Sequence, residues 1–350
     1  MNVFKGKIEA TRPANLYALL MCKNLEIAKI AALKASNFNY DRKMALSAEC
    51  RKDLLWAKEA LPSTSAPIRP PPPDYTISTD SSKRGWGIND YQTMQRGGGR
   101  WSFEEALHHI NELELKAAYF GLRGFCADMH GIHLRIMVDN TSALAAINKQ
   151  GSTRSLGLNV LARELWDYAR ERRIWVSAAH IPGRLNVEAD TASREFDENT
   201  EWSLRADIFG SICDKFGKPT IDLFASRLNC KVSRYCAWQP DPSAVFINAL
   251  MMSSWEEEFF YAFPPFSIIH LVIQKCIHDK AKGILVVPDW PSQPWYTVLN
   301  CISIEERFKF TVTNDELFLP FSSDSLRHPL TPLKIMVVKV DGALPLRTCI

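Results

Sequence analysis

The feature that most limits how this chain can fold is a run of four consecutive prolines, Pro70 to Pro73. Proline has no amide proton to give a helix or a central strand, and its ring clashes with the preceding helical turn. Residues 64–73 (TSAPIRPPPP) therefore read as an extended linker. Before it, residues 14–34 and 43–61 show apolar side chains at helical spacing, among them Leu16, Leu19, Leu20, Ile27 and Ile30. Two helices in so short a piece bury too little surface to stand alone. The segment 1–63 is expected to dock on something, or to be the tail of a domain.

Beyond the linker the pattern changes. Residues 74–80 (DYTISTD) alternate like a strand, and the glycines at 85–87 and 97–99 are expected to mark turns between short strands. Helices are expected at 111–128, 141–148, 156–173 and from 187, with strands at 133–138 and 174–179. Leu113, Ala117, Ala118 and Leu122 line one face of the first of these helices, and Gly131 breaks the chain after it. This order predicts a mixed sheet with helices packed on it. A second alternation follows, with a helix at 204–216, a strand at 220–224, an aromatic run at 255–263, a helix at 267–280 and a buried strand at 283–287. It predicts a second α/β domain over 200–320, leaving 321–350 as a tail that contains a strand-like stretch at 334–340.

Composition removes several classes of protein. With 46% hydrophobic and 23% charged residues the chain has enough apolar surface for a core, so wholesale disorder is excluded. No apolar run is long enough for a transmembrane helix, and no membrane partner is expected. The start, MNVFKGKIEATR, lacks the apolar centre of a secretory signal. Nine cysteines include no C-x-x-C pair, and Cys230 and Cys236 have no nearby histidine pair, so zinc is not expected. A reducing compartment, cytoplasm or nucleus, fits. Net charge is only +3, but residues 1–73 hold 12 basic against 6 acidic side chains. Such a stretch either lies along phosphates or is a solvated helical face.

Four acids in the middle segment occupy positions that chemistry can use. Asp80 ends an alternating strand, Glu114 lies in the first turns of a helix, Asp139 follows the strand HLRIMV, and Asp190 opens a helix after the loop HIPGRLN. Any one of them alone reads more readily as a helix cap than as a ligand. Four together crowd like charges, and divalent cations relieve that repulsion. Carboxylate oxygens suit Mg²⁺ or Mn²⁺. Two such ions activate a water and stabilise a leaving oxygen in phosphodiester cleavage.

The segments ISTDSSKRGWG, NELELKAAYFGL, IMVDNTSALAAIN and HIPGRLNVEADTASR resemble, in order and spacing, a type 1 ribonuclease H domain. More narrowly, they are similar to the RNase H of DIRS-type retrotransposons, which belong to the tyrosine-recombinase class. The resemblance covers residues 74–194 and implies an RNase H-like mixed five-stranded sheet with flanking helices. It implies that Asp80, Glu114, Asp139 and Asp190 form the catalytic, metal-binding D-E-D-D set around two Mg²⁺ or Mn²⁺ ions. It assigns Asn111 to the minor groove of an RNA–DNA hybrid, Ser81 and Ser82 to the RNA strand, and Asn186 to the loop before the last Asp. Bacterial members carry a proton-shuttling histidine in that loop. Here Arg184 stands at about that position, which implies slower turnover with the metal chemistry intact. His180, at the strand end, reads as structural, and Trp86 as a residue packed in the sheet.

Residues 41–47 and the helix around Trp56 resemble the region after the polymerase thumb of the same elements. No Y-x-D-D-like motif occurs, so reverse transcriptase activity is not expected and the chain looks like part of a longer polyprotein. Residues 220–295 resemble a phage-type DNA adenine methyltransferase-like domain, with a Rossmann-like α/β fold implied. By that resemblance Asp222 and Ala225 lie near S-adenosylmethionine, and Asn229 and Tyr235 match family positions. The catalytic motif, a polar residue followed by Pro-Pro-aromatic, reads Phe263-Pro264-Pro265-Phe266. Phenylalanine cannot accept a hydrogen bond from a target amine. The domain is therefore expected to be inactive and S-adenosylmethionine is not an expected cofactor, while Phe266 retains a ring for base stacking. Alternatively, the two prolines simply end a buried strand, and Trp290 and Trp295 are core. The expected function is a divalent-metal-dependent endonuclease that hydrolyses the RNA strand of RNA–DNA hybrids, with DNA as a further partner. The alternatives are a non-enzymatic nucleic-acid-binding remnant of a mobile element and a scaffold with no live site.

Overall fold

Alternation in the first strand assigns the two faces of its sheet. In the computed structural model, which describes residues 2–11, 13–60, 65, 67, 71–196, 201–322 and 326–345, β1 spans Tyr75–Ser81. Successive side chains of a strand point to opposite faces. Ile77 and Thr79 meet the helix at Gly121, whereas Gly87, which pairs with Asp80, meets the backbone of residues 189–193. Five of the ten residues of the expected linker lie outside the described set.

The chain divides into two compact units, one of residues 1–96 and 108–194, the other of residues 97–107 and 195–350. The first begins with three helices, α1 (Asn2–Ala10), α2 (Ala18–Ala35) and α3 (Ala48–Ala60). After β1 come β2 (Gly85–Asp90), β3 (Arg96–Arg100) and the single turn α4 (Phe103–Ala106), these last two falling in residues 97–107 but for Arg96, then α5 (Ile110–Phe125), β4 (His133–Val138), α6 (Thr141–Asn148), α7 (Leu156–Glu171), β5 (Trp175–His180) and α8 (Val187–Arg194). The sheet order is β3-β2-β1-β4-β5. β1 runs antiparallel to β2 and parallel to β4, and β4 runs parallel to β5. The result is a mixed five-stranded sheet with flanking helices, the arrangement the sequence predicts.

Both glycine clusters that sequence assigns to turns lie inside strands. Gly85 and Gly87 belong to β2, and Gly97, Gly98 and Gly99 to β3. The reason at Gly87 is close approach. A Cβ there would sit 2.0 Å from the Ala189 carbonyl oxygen and 2.5 Å from the Ser193 nitrogen, so only glycine lets α8 lie against the sheet. Trp86, in the same strand, is buried edge-on against Phe120 of α5, as expected of a packing residue.

The N-terminal helices belong to the first unit. α1 was not expected, and α2 starts at Ala18, after Pro13. Asp53 of α3 is buried and receives a two-pronged ion pair from Arg163 of α7, at 2.5 and 3.0 Å, and a hydrogen bond from Asn24 of α2 at 2.9 Å. The Gln150 side chain accepts from the Leu20 N–H and donates to the Leu16 carbonyl. Tyr17 meets Trp166 edge-on. A short helical segment with little core of its own thus shares the core of its neighbour.

The second unit contains β6 (Ser203–Leu204), α9 (Ala206–Phe216), β7 (Ile221–Asp222), β8 (Cys236–Ala237), β9 (Phe246–Ile247) and β10 (Phe259–Ala262). Then follow α10 (Ile269–His278), β11 (Lys282–Pro288), α11 (Pro294–Ile302), β12 (Phe308–Val312), β13 (Leu317–Phe318) and β14 (Leu333–Asp341). Its main sheet has the order β12-β14-β11-β10-β7. β7, β10 and β11 are parallel, while β14 is antiparallel to both its neighbours. The expected boundary at 320 fails here. β14 lies inside the sheet, its Ile335, Met336, Val337 and Val338 fully buried, because a strand apolar on both faces has to be covered on both. α11 and β12 were not anticipated.

Replacing Gly87 by Ala should destabilise the first unit by about 1–3 kcal/mol, the range for overpacking. Gly6→Ala, on α1 with nothing near its Cβ position, should not destabilise it. Urea unfolding of the two variants checks this.

Candidate metal centre

The parallel register of β1 and β4 determines which acids meet. Ser78 pairs with Met137, so two residues further on Asp80 and Asp139 emerge side by side at the carboxyl ends of neighbouring strands. α5 packs on β1 and brings Glu114 to the same end. One carboxylate oxygen from each of Asp80, Glu114 and Asp139 lies within 4.8 Å of the other two. Asp80 and Glu114 are buried, and Asp139 is half-buried.

The surroundings hold these groups unevenly. Asp80 Oδ2 accepts a hydrogen bond from Ser193 Oγ at 2.7 Å. The nearby Ser81 backbone N–H favours the charged form of Glu114, but its Oε2 is buried with no hydrogen-bond partner among the described residues. Leaving such an atom unpaired costs about 1–3 kcal/mol, and more if it is charged. Burial pushes the Glu114 carboxyl up to about 9, and the charges of Asp80 and Asp139 push the same way. Burial also raises Asp80, against the Ser193 hydrogen bond. The donors are all hard oxygens, and the orphaned Oε2 lacks only a cation. The residues fit a divalent ion such as Mg²⁺ or Mn²⁺.

Asp190 is not in this group of three. Its Oδ1 accepts from Arg194 Nε at 2.6 Å, an i, i+4 pair on α8. Asn111, one turn before Glu114 on α5, accepts a hydrogen bond from Asn140 Nδ2 at 2.9 Å. Asn140 also caps α6, so it ties Asn111 to the chain beside Asp139. Ser82 is taken up by the fold. Its hydroxyl donates to the Ser193 carbonyl at 2.7 Å and accepts from the turn N–H groups of Arg84 and Gly85. Asn186 is buried and donates to the Thr79 carbonyl at 3.0 Å, clamping the start of α8 to β1. Arg184 is exposed on a 3₁₀ turn, Gly183–Leu185. A Cβ at Gly183 would lie 3.2 Å from Asp139 Oδ2, which places this turn beside the acids.

Sequence reasoning missed Ser193, Arg194, Asn140 and Gly183. Helical spacing marks the first two, three and four residues after Asp190. N-cap preference marks Asn140. Nothing in the sequence alone marks Gly183.

In the second unit Asp222 ends β7, buried, and its carboxylate accepts from the Lys231 N–H at 3.0 Å and the Phe224 N–H at 3.4 Å. Burial lifts its pKa to about 6. Ala225 N–H donates to the Cys236 carbonyl, Asn229 Oδ1 accepts from the Ser226 N–H, and the Tyr235 hydroxyl donates to Asp241. After β10, Phe263 stands 6.3 Å from Phe266, Phe266 meets Trp290 edge-on at 5.4 Å, Pro264 is buried and Pro265 exposed. Trp295 is core.

No protein-family model matches the sequence. No curated protein matches it significantly. Among solved structures, the RNase H1 of the halophilic archaeon Halobacterium salinarum NRC-1 is 19% identical, matches 34% of this chain and 92% of its own, and has a TM-score of 0.26. LC11-RNase H1, solved with an RNA/DNA hybrid, is 15% identical over 34% of this chain and 93% of its own, at a TM-score of 0.30. The foamy viral protease-reverse transcriptase, solved with dsDNA, is 16% identical over 52% of this chain and 42% of its own, at 0.25. Similarity at this level adds nothing to the strand order and the carboxylate geometry.

A carboxyl with a raised folded-state pKa binds more protons folded than unfolded. Glu114 therefore contributes stability that is present below its unfolded value near 4.5 and is lost as pH rises toward about 9. Without divalent ions the melting temperature should fall across this window, and Glu114→Gln should flatten the slope. Mn²⁺ should raise the melting temperature more at pH 8 than at pH 5.5, since binding expels the proton. Calorimetric melting of both proteins across pH reads all three effects.

Proposed function

We propose that this chain is a divalent-metal-dependent endonuclease that hydrolyses the RNA strand of RNA–DNA hybrids. The observation that carries the reading is the convergence of Asp80, Glu114 and Asp139 at the carboxyl ends of two parallel strands, with Glu114 Oε2 buried and unpaired. Asp80, Glu114 and Asp139 are the ligands, and Asp190 completes the set. Divalent ions held by these residues would supply activation of a water for attack on the phosphodiester and stabilisation of the leaving oxygen.

The chain's own residues supply orientation. Ser193 holds the Asp80 carboxylate, so this ligand is aimed before metal arrives. Asn111, held by Asn140, offers its amide to the minor groove, where 2′-hydroxyls tell RNA from DNA. Ser81 and Ser82 are buried and bear on the RNA strand only by shaping the end of β1, while the exposed Arg184 is read as a phosphate contact.

The second unit we read as derived from an adenine methyltransferase and inactive in methyl transfer. Phe263 has no acceptor for an amine, and both carboxylate oxygens of Asp222 are engaged by backbone N–H groups. With DNA and S-adenosylmethionine the protein should transfer no methyl group, and transfer would contradict this.

The test is a strand-labelled RNA–DNA hybrid incubated with Mg²⁺ or Mn²⁺. Cleavage of only the RNA strand is expected, abolished by EDTA. Asp139→Asn should reduce it by more than about a hundredfold, since even outer-shell changes at metal sites cost about 10–100-fold. Hybrid binding without cleavage would favour the non-enzymatic remnant.

A further inference from the structure

Asp190 has two uses that exclude one another. A carboxylate that completes a metal site has to offer its oxygens to the ion. In this structure Oδ1 instead holds Arg194 at 2.6 Å, and the other three acids cluster without it. Arg194 sits at the end of α8, one turn beyond Asp190 and next to Ser193, whose hydroxyl holds Asp80. Its positive charge bears on Asp80, Asp139 and Glu114 as well as on its direct partner.

We propose that Arg194 is a built-in counter-cation that occupies Asp190 in place of a second divalent ion. The site then takes one ion readily on Asp80, Glu114 and Asp139. It takes a second only when Asp190 is released from Arg194. This inference rests on the metal-nuclease reading and concerns how the same site is filled.

The pair is suited to such an exchange. Both side chains are about half exposed, 58% for Arg194 and 43% for Asp190. An exposed pair of this kind biases an equilibrium by at most about fivefold, so a divalent ion can displace it. A guanidinium cannot lose its proton in the physiological range, so the competition persists at every pH at which the nuclease would work. Salt weakens exposed ion pairs, and raised ionic strength should relax the competition. Arg194 is a positioning residue on this account, acting through Asp190.

The experiment is isothermal titration of the full chain with Mn²⁺, comparing the native protein with Arg194→Gln and Arg194→Lys. The native protein should bind one ion tightly and a second weakly. In Arg194→Gln the second ion should bind about three- to fivefold more tightly, with a smaller change for the first. Arg194→Lys, which keeps the charge, should stay close to the native protein. The difference between native and Gln forms should shrink as salt is raised. The Mg²⁺ concentration for half-maximal hybrid cleavage should fall by the same factor in Arg194→Gln. Second-ion binding that is unchanged or weaker in Arg194→Gln overturns the proposal, because Arg194 would then only brace α8 or aim Asp190. If the native protein binds no divalent ion, the metal-nuclease reading falls and the proposal with it.

Discussion

Repulsion between three carboxylates is the constraint around which the first unit is organised. Oxygens within 4.8 Å of one another interact unfavourably by about 3–4 kcal/mol per ionised pair at the effective dielectric of a protein surface. The exposed ion pair at Arg194 offsets at most about 1 kcal/mol. Local cations therefore do not neutralise the cluster. It either holds protons, as the raised Glu114 and Asp80 indicate, or it holds a divalent ion. A fold under no functional demand relieves such strain by turning an acid outward. Here strand pairing sets the backbones of Asp80 and Asp139 side by side, and the packing of α5 brings that of Glu114 to them.

The rest of the unit serves to keep those elements close. Gly121 lets α5 come down on Ile77 and Thr79, where a Cβ would sit 2.7 Å from the Ile77 side chain. Gly87 does the same for α8 on the opposite face. Asn186 clamps the start of α8, and Ser82 and Ser193 stitch its end to the β1–β2 turn. Farther out, the buried Asp53–Arg163 pair docks the N-terminal helices on α7. Such a buried pair adds little net stability but is costly to break, so it specifies where the helices dock more than how tightly.

Much of this was legible in the sequence where local pattern and tertiary demand agree. β4 and α6 fall where their apolar periodicity puts them, and the three clustered acids were all identified. Legibility failed where a long-range contact overrides the local signal. Gly87 reads as a turn because nothing nearby in sequence reveals that a helix a hundred residues later needs the space. β14 reads as a tail because its partners, β11 and β12, are separated from it by a long stretch of chain. Asp190 reads as an equal member of the acid set because sequence gives its position on α8 but not the choice it makes between ion and arginine. The family resemblance named the acids but not Ser193 and Arg194, which bond Asp80 and Asp190, nor Asn140, which bonds Asn111.

The central claim is that the Asp80–Glu114–Asp139 convergence is a divalent-cation site. Crystals grown with Mn²⁺ and measured at its absorption edge test it most directly. The account predicts an anomalous peak bonded to oxygens of all three carboxylates, with Glu114 Oε2 no longer unpaired. Crystals that show ordered, unshifted carboxylates and no peak among them at saturating Mn²⁺ would contradict it.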